Sequence, residues 1–351
     1  MKKQKKKSEY HLLSILNLLC FFIYNKMNTT TTAAIIITPD DSSFVVLSST
    51  IHKIVLSFYI IFGLIGNIFN ILLFQSAALR QTSTSFYLLS ESISNLIVVC
   101  LALPIRLLSD GFGLNVTDYS LLSCQLISYI YFTCLALPPI FTTLACVDRW
   151  AASCVEVNRR RFANKSMAKR MIPLAIIFCG LIYAPIFVTF DMSTNPPPPF
   201  CSISLKYAFF GLIYYLLTYS IIPPGFMIGF TIGVILHIRR KRTGIVHVAP
   251  PVGQSISNDS HSTRGNRRRL SPMQFMLICQ AFSECLLTLP FSLTNILSLF
   301  VDYDQHFLMI YSYTRLLLFI SYVSSFYIFT LSSKLYREEF KKFIRRLWHR
   351  Q

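Results

Sequence analysis

Acidic residues are scarce in this chain: 15 Asp and Glu stand against 33 Lys and Arg, and charged side chains make up 14% of the 351 residues. Soluble domains carry roughly 25% charged residues, so most of this chain is not built to face water. Cys-x-x-Cys is missing, the histidines are scattered through tails and loops, and no glycine-rich stretch has the form of a phosphate-binding loop. These absences argue against zinc modules, dithiol redox centres and P-loop nucleotide sites. With no catalytic or metal-ligating constellation, neither an enzyme nor a cofactor is expected.

What is present is apolar: 53% of residues are hydrophobic and the mean hydropathy is +0.52. Long apolar runs lie at about Ile51–Phe74, Ser83–Leu107, Leu121–Cys146, Met171–Phe190, Tyr207–Ile238, Met273–Phe300 and Phe307–Leu331. Each is long enough to cross a hydrocarbon core, which predicts seven spans in a lipid bilayer. The net charge of +18 resides in short blocks between these runs, which reads as a topology signal and not as a nucleic-acid footprint. Basic residues follow the first run (Arg80), the third (Arg159, Arg160, Arg161, Lys165), the fifth (Arg239, Arg240, Lys241, Arg242) and the seventh (Lys334, Arg337, Lys341, Lys342). The positive-inside rule makes those sides cytoplasmic and the N-terminus extracellular.

Residues 1–26 begin with five lysines, Lys2, Lys3, Lys5, Lys6 and Lys7, and an apolar stretch from Leu12 to Tyr24, the form of a secretory signal peptide. An uncleaved anchor and a start at Met27 remain open. Residues 27–50 read as an extracellular tail. Glycosylation sequons at Asn28 and Asn115 fall on the outer side, whereas those at Asn164 and Asn258 fall inside and should be silent. Most of the ten cysteines lie within apolar runs, where a cysteine is usually a small buried hydrophobe; Cys124 is at the outer opening of the third run and Cys201 in the loop before the fifth.

The stretch from Cys124 to Trp150 is the most informative. Arg149 lies 25 residues after Cys124, roughly 37 Å along a helix at about 1.5 Å per residue, so one end is outside the membrane and the other inside. The outer cysteine and the inner Asp148-Arg149-Trp150 triplet resemble the third helix of rhodopsin-like (class A) G-protein-coupled receptors. The resemblance extends from about Ile51 to Trp348. Gly66-Asn67 matches the family's Gly-Asn pair, Asn95 stands where the family has an aspartate, and Pro104 is expected to end the second run. Pro185 and Pro223-Pro224 fit the fourth and fifth helices. Leu287-Thr288-Leu289-Pro290 takes the place of Cys-Trp-x-Pro, and Ser325-Phe326-Tyr327-Ile328-Phe329 the place of Asn-Pro-x-x-Tyr. The stretch from Leu331 to Phe340 looks like the eighth helix of invertebrate peptide receptors, with Tyr336, Phe340, Phe343, Ile344 and Leu347 on one face.

The resemblance implies an all-α seven-helix bundle over residues 51–331, a third cytoplasmic loop at about 239–270 that is polar, disordered and open to phosphorylation, and an amphipathic eighth helix at 332–351. It implies a Cys124–Cys201 disulfide, a heterotrimeric G protein as inner partner, and roles in coupling for Asp148, Arg149 and Trp150. Asn67, Asn95, Glu284 and Pro290 are expected in the bundle core. Sodium binding is not expected, because Asn95 is neutral and Pro138 replaces a serine. Aminergic members carry an aspartate where this chain has Tyr131, so a short peptide is favoured over an amine. Arg106 and Arg315 are the outer-half cations expected to hold a ligand carboxylate, with Gln125, Tyr131, Phe291, Asn295 and Tyr311 as further lining. No acidic residue in the neighbouring runs offers itself as a partner for Arg315. A multi-pass transporter is the runner-up, disfavoured by odd parity and the lack of an internal repeat. A receptor-shaped protein that binds without signalling is the third reading.

Overall fold

The computed structural model describes residues 39–154, 156–193, 199–243, 272–298, 301 and 305–348. The leader at 1–26, the Asn28 sequon and most of the third loop, including Asn258, lie outside the described residues. Seven helices are long and apolar enough to cross a membrane: α1 Val45–Phe74, α2 Thr84–Gly111, α3 Leu121–Ser153, α4 Lys165–Thr189, α5 Ala208–His237, α6 Pro272–Leu297 and α7 His306–Ser332. An eighth, α8, spans Lys334–Trp348. Large apolar side chains point outward along them. On α1, Ile54, Phe58, Ile61, Ile65 and Ile68 are about half exposed, which is stable only against lipid.

Helix α1 is continuous back to Pro39, so residues 39–50, read above as tail, are helical; nothing between Pro39 and Ile51 breaks the helix. A second difference lies in α2. Pro104 does not end it, because a π-turn at Val98–Ala102 precedes the proline and a second at Leu107–Gly111 follows, carrying the helix another turn and a half. Proline clashes with the carbonyl four residues back and lacks an N–H, and a wide turn absorbs both problems. The same device precedes Pro223-Pro224, where a π-turn spans Leu216–Ile221. The chain leaves α2 at Gly113, whose φ of 70° only glycine adopts without strain.

A capping box at Ser120 and Ser123 starts α3, and Asn164 caps α4 by accepting from the Met167 amide at 2.8 Å. Between α4 and α5 the chain forms an antiparallel hairpin of β1 (Phe190–Ser193) and β2 (Phe200–Ile203). The core has an outer cluster around Leu56, Val99, Leu103, Leu135 and Phe319, and an inner one around Phe74, Leu88, Met276, Phe329 and Tyr336. Asn67, fully buried, donates to the carbonyls of Gly63 (2.9 Å) and Tyr322 (3.0 Å) and so ties α1 to α7. At Gly66 an added Cβ would sit 3.1 Å from Phe326 Cβ, so the missing side chain lets the two helices approach.

Helix α8 is held from inside the bundle. Tyr336 is fully buried and donates to Asn70 Oδ1, while Asn70 Nδ2 donates to Ser325 Oγ at 3.0 Å. Burial pushes the Tyr336 phenol well above its usual range, which keeps it a neutral donor. Phe340 and Phe343 pack edge-on against Phe69.

Candidate functional site

At the outer end, Cys124 on α3 is disulfide-bonded to Cys201 on β2. The hairpin is fastened twice more: Asp118 Oδ1 accepts from the Cys201 amide at 2.9 Å, and Gln125 Nε2 donates to the Phe190 carbonyl at 3.2 Å. Under it lies a cavity of about 240 Å³ whose wall includes Arg106, Asn115, Ser128, Tyr131, Phe132 and Phe190. Arg106 Nε donates to the Tyr131 hydroxyl at 2.9 Å, and its guanidinium lies 4.9 Å from the centre of that ring. Arg315 on α7 is ion-paired with Asp110 at 2.9 Å, and Arg106 reaches the other oxygen of Asp110 at 4.0 Å.

The expectation that Arg315 has no acidic partner is therefore overturned. A helix ending at Pro104 would leave Asp110 in the loop, whereas the second π-turn carries its carboxylate to the depth of Arg315. The remaining expected lining residues sit at the α6–α7 seam. The rings of Phe291 and Tyr311 are 5.3 Å apart, the Tyr311 hydroxyl donates to Asn295 Oδ1 at 3.4 Å, and Arg315 lies over the Tyr311 ring at 5.7 Å. Only Arg106 and Tyr131 of the expected set belong to the wall of the 240 Å³ cavity. The exposed Asn115 is on its rim and accepts from Ser109 Oγ at 2.5 Å.

At the inner end of α3, Asp148 and Arg149 are both mostly buried and paired at 3.3 Å. Asp148 Oδ2 also accepts from Ser83 Oγ at 2.9 Å and Thr84 Oγ1 at 2.5 Å, and Thr84 Oγ1 in turn accepts from Arg149 Nε. Thr84 on α2 and Asp148 and Arg149 on α3 thus close a three-membered ring of charge-assisted hydrogen bonds, to which Ser83, just before α2, adds one further donor. Trp150 turns to α5, edge-on to Phe230 and stacked with His237. It fills the space left by Gly233, where an added Cβ would come within 2.7 Å of the indole.

The sequence profile of the 7 transmembrane receptor (rhodopsin family) matches residues 66–327, well over half of the chain. The chain belongs to the rhodopsin family. It accordingly has the multi-pass fold of a membrane receptor, and membership of this family implies an extracellular ligand and a G-protein partner; members of the family are receptors, not enzymes.

In this receptor the middle of the bundle carries a polar layer. Gln280 Nε2 on α6 donates to Glu91 Oε1 of α2 at 2.9 Å and to Glu284 Oε1 at 3.3 Å, and Thr142 on α3 donates to the same Glu284 oxygen at 3.2 Å. Glu91, Gln280 and Asn95 are within 1% of fully buried and Glu284 is 6% exposed. Glu284 and Asn95 lie in the core as expected, and Pro290 lies within α6 one and a half turns outward of Glu284. Gln280 escaped sequence reasoning because an isolated glutamine in an apolar run carries no pattern; its i,i+4 relation to Glu284 was the available signal. Ser83 and Thr84 escaped it because the start of a helix usually uses such residues as caps.

Proposed function

We propose that this rhodopsin-family receptor binds a short peptide of the neuropeptide type found in invertebrates and transmits binding as G-protein activation through outward movement of α6. The closed ring of Thr84, Asp148 and Arg149 carries this reading, because two of its three members sit on α3, the helix whose outer cysteine staples the hairpin over the outer cavity. Displacement at one end of α3 is felt at the other. A peptide is favoured over an amine because the cavity wall presents Arg106 and Tyr131, and a protonated amine would meet a guanidinium. In the same reading the N-terminus is extracellular, Asn28 and Asn115 carry glycans, and residues 239–270 face the G protein. The deciding experiment is a screen of surface-expressed receptor against amidated and free-acid short peptides with calcium and cyclic-nucleotide readouts. A peptide that raises either signal, and fails to do so in Arg149→Ala, supports it. Silence with several G-protein chimeras favours a receptor that binds without signalling, a reading to which the hydrogen bond from Gln280 on α6 to Glu91 on α2 lends weight.

A further inference from the structure

We infer that Asp110 stands in for an anionic group of the ligand, and that Arg106 and Arg315 form the carboxylate-binding site it masks. This deepens the reading of the outer cavity as the ligand site. Three observations carry it. First, two guanidinium groups share one carboxylate, and no other acidic side chain is ion-paired with either among the described residues. The cluster holds a net positive charge although the Arg106, Asp110 and Arg315 side chains are only 26%, 14% and 14% exposed. A cation so withdrawn from water is unfavourable unless an anion meets it.

Second, the two arginines are unequally satisfied. Arg315 holds Asp110 at 2.9 Å, whereas Arg106 is 4.0 Å from it, at the edge of a direct ion pair. The Nε of Arg106 is committed to Tyr131, which fixes the plane of the guanidinium and leaves its two terminal nitrogens as a fork. Arg106 is part of the wall of the 240 Å³ cavity, to which Phe132 and Phe190 supply apolar surface. A carboxylate with a small apolar body matches that lining.

Third, Asp110 is on the element best able to give way. It occupies the terminal π-turn of α2, three residues before Gly113, while Arg315 is about three turns in from the outer end of α7. An incoming carboxylate takes the Arg106 fork and competes with Asp110 for Arg315. The displaced Asp110 then moves toward the loop.

The test uses the purified full-length receptor and its thermal unfolding midpoint, which requires no G protein. Benzoate and N-acetylglycine, a free C-terminal carboxylate, are titrated against benzamide and N-acetylglycinamide; N-acetylaspartic acid α-amide, which bears only a side-chain carboxylate, distinguishes the two peptide sources of the anion. The carboxylates should raise the midpoint saturably and the amides should not. Asp110→Asn removes the internal competitor and should tighten the carboxylate about tenfold while lowering the midpoint of the ligand-free protein. Arg106→Ala and Arg315→Ala should abolish the shift, and Arg106→Lys and Arg315→Lys, which keep the charge and so protect folding, should weaken it several-fold. Lys206→Ala, an exposed cation outside the cluster, should leave it unchanged. Equal shifts from acid and amide, no shift at all, or a carboxylate bound no more tightly by Asp110→Asn would each overturn the assignment. Silence in G-protein assays with the carboxylate shift intact would remove the signalling reading and leave this one standing.

Discussion

At the scale of single residues, the inner ring makes sharp demands. Thr84 Oγ1 both donates to Asp148 and accepts from Arg149, so its hydroxyl closes the ring. Hydrogen bonds to charged groups contribute about 1.5–3 kcal/mol. Thr84→Ala should therefore raise basal G-protein activation several-fold, measured as nucleotide exchange on a reconstituted G protein. Asp148→Asn should raise it at least as much, since it takes the charge from a nearly buried carboxylate that accepts from Ser83, Thr84 and Arg149. Arg149→Ala should abolish activation while leaving ligand affinity within error, because Arg149 is at the opposite end of α3 from the hairpin. Wild-type signalling in Arg149→Ala would exclude this ring as the coupling element. The Asp148–Arg149 pair was legible because two adjacent charges ending an apolar run have few other uses. Asp110 was not: its position depends on how two π-turns phase a helix around a proline, which residue identity alone does not reveal.

At the scale of elements, α6 is tied at mid-height. Replacing Gln280 by Leu keeps the volume but leaves Glu91 Oε1 without its donor and Glu284 Oε1 with Thr142 alone. A buried polar atom that loses its partner costs about 1–3 kcal/mol, so Gln280→Leu should lower the unfolding midpoint by several degrees. A fluorophore at the inner end of α6 should at the same time report a more open average position. A lower midpoint with an unmoved fluorophore would show that the layer stabilises the bundle without restraining α6. The seven spans were readable from apolar length, since a lipid core imposes a minimum run that few soluble segments meet. The turns of α2 and α5 and the hairpin were not, because they depend on local backbone geometry and on a disulfide between distant residues.

For the whole molecule, the disulfide and the Gln125 bond fasten one hairpin to α3, and the Asp118 bond fastens it to the turn before α3. Removing a native disulfide typically costs about 2–5 kcal/mol. Cys124→Ala, Cys201→Ala and the double variant should lose surface expression to the same extent, because the second substitution removes nothing that the first has left. A double variant clearly worse than either single one would mean that the cysteines act separately in the cell.

The fit of Trp150 into the gap at Gly233 also constrains the order in which this sequence can change. A methyl group at 233 would lie 2.7 Å from the indole Cδ1 and 3.0 Å from its Nε1, so Gly233→Ala is barred while the tryptophan is present. A smaller ring at 150 leaves a void but no collision, and only then does a side chain at 233 become acceptable, filling part of what was lost. The two positions form a ratchet with one permitted direction of escape. Trp150→Tyr followed by Gly233→Ala should pass through folded receptors at each step, and the reverse order should meet a poorly expressed intermediate.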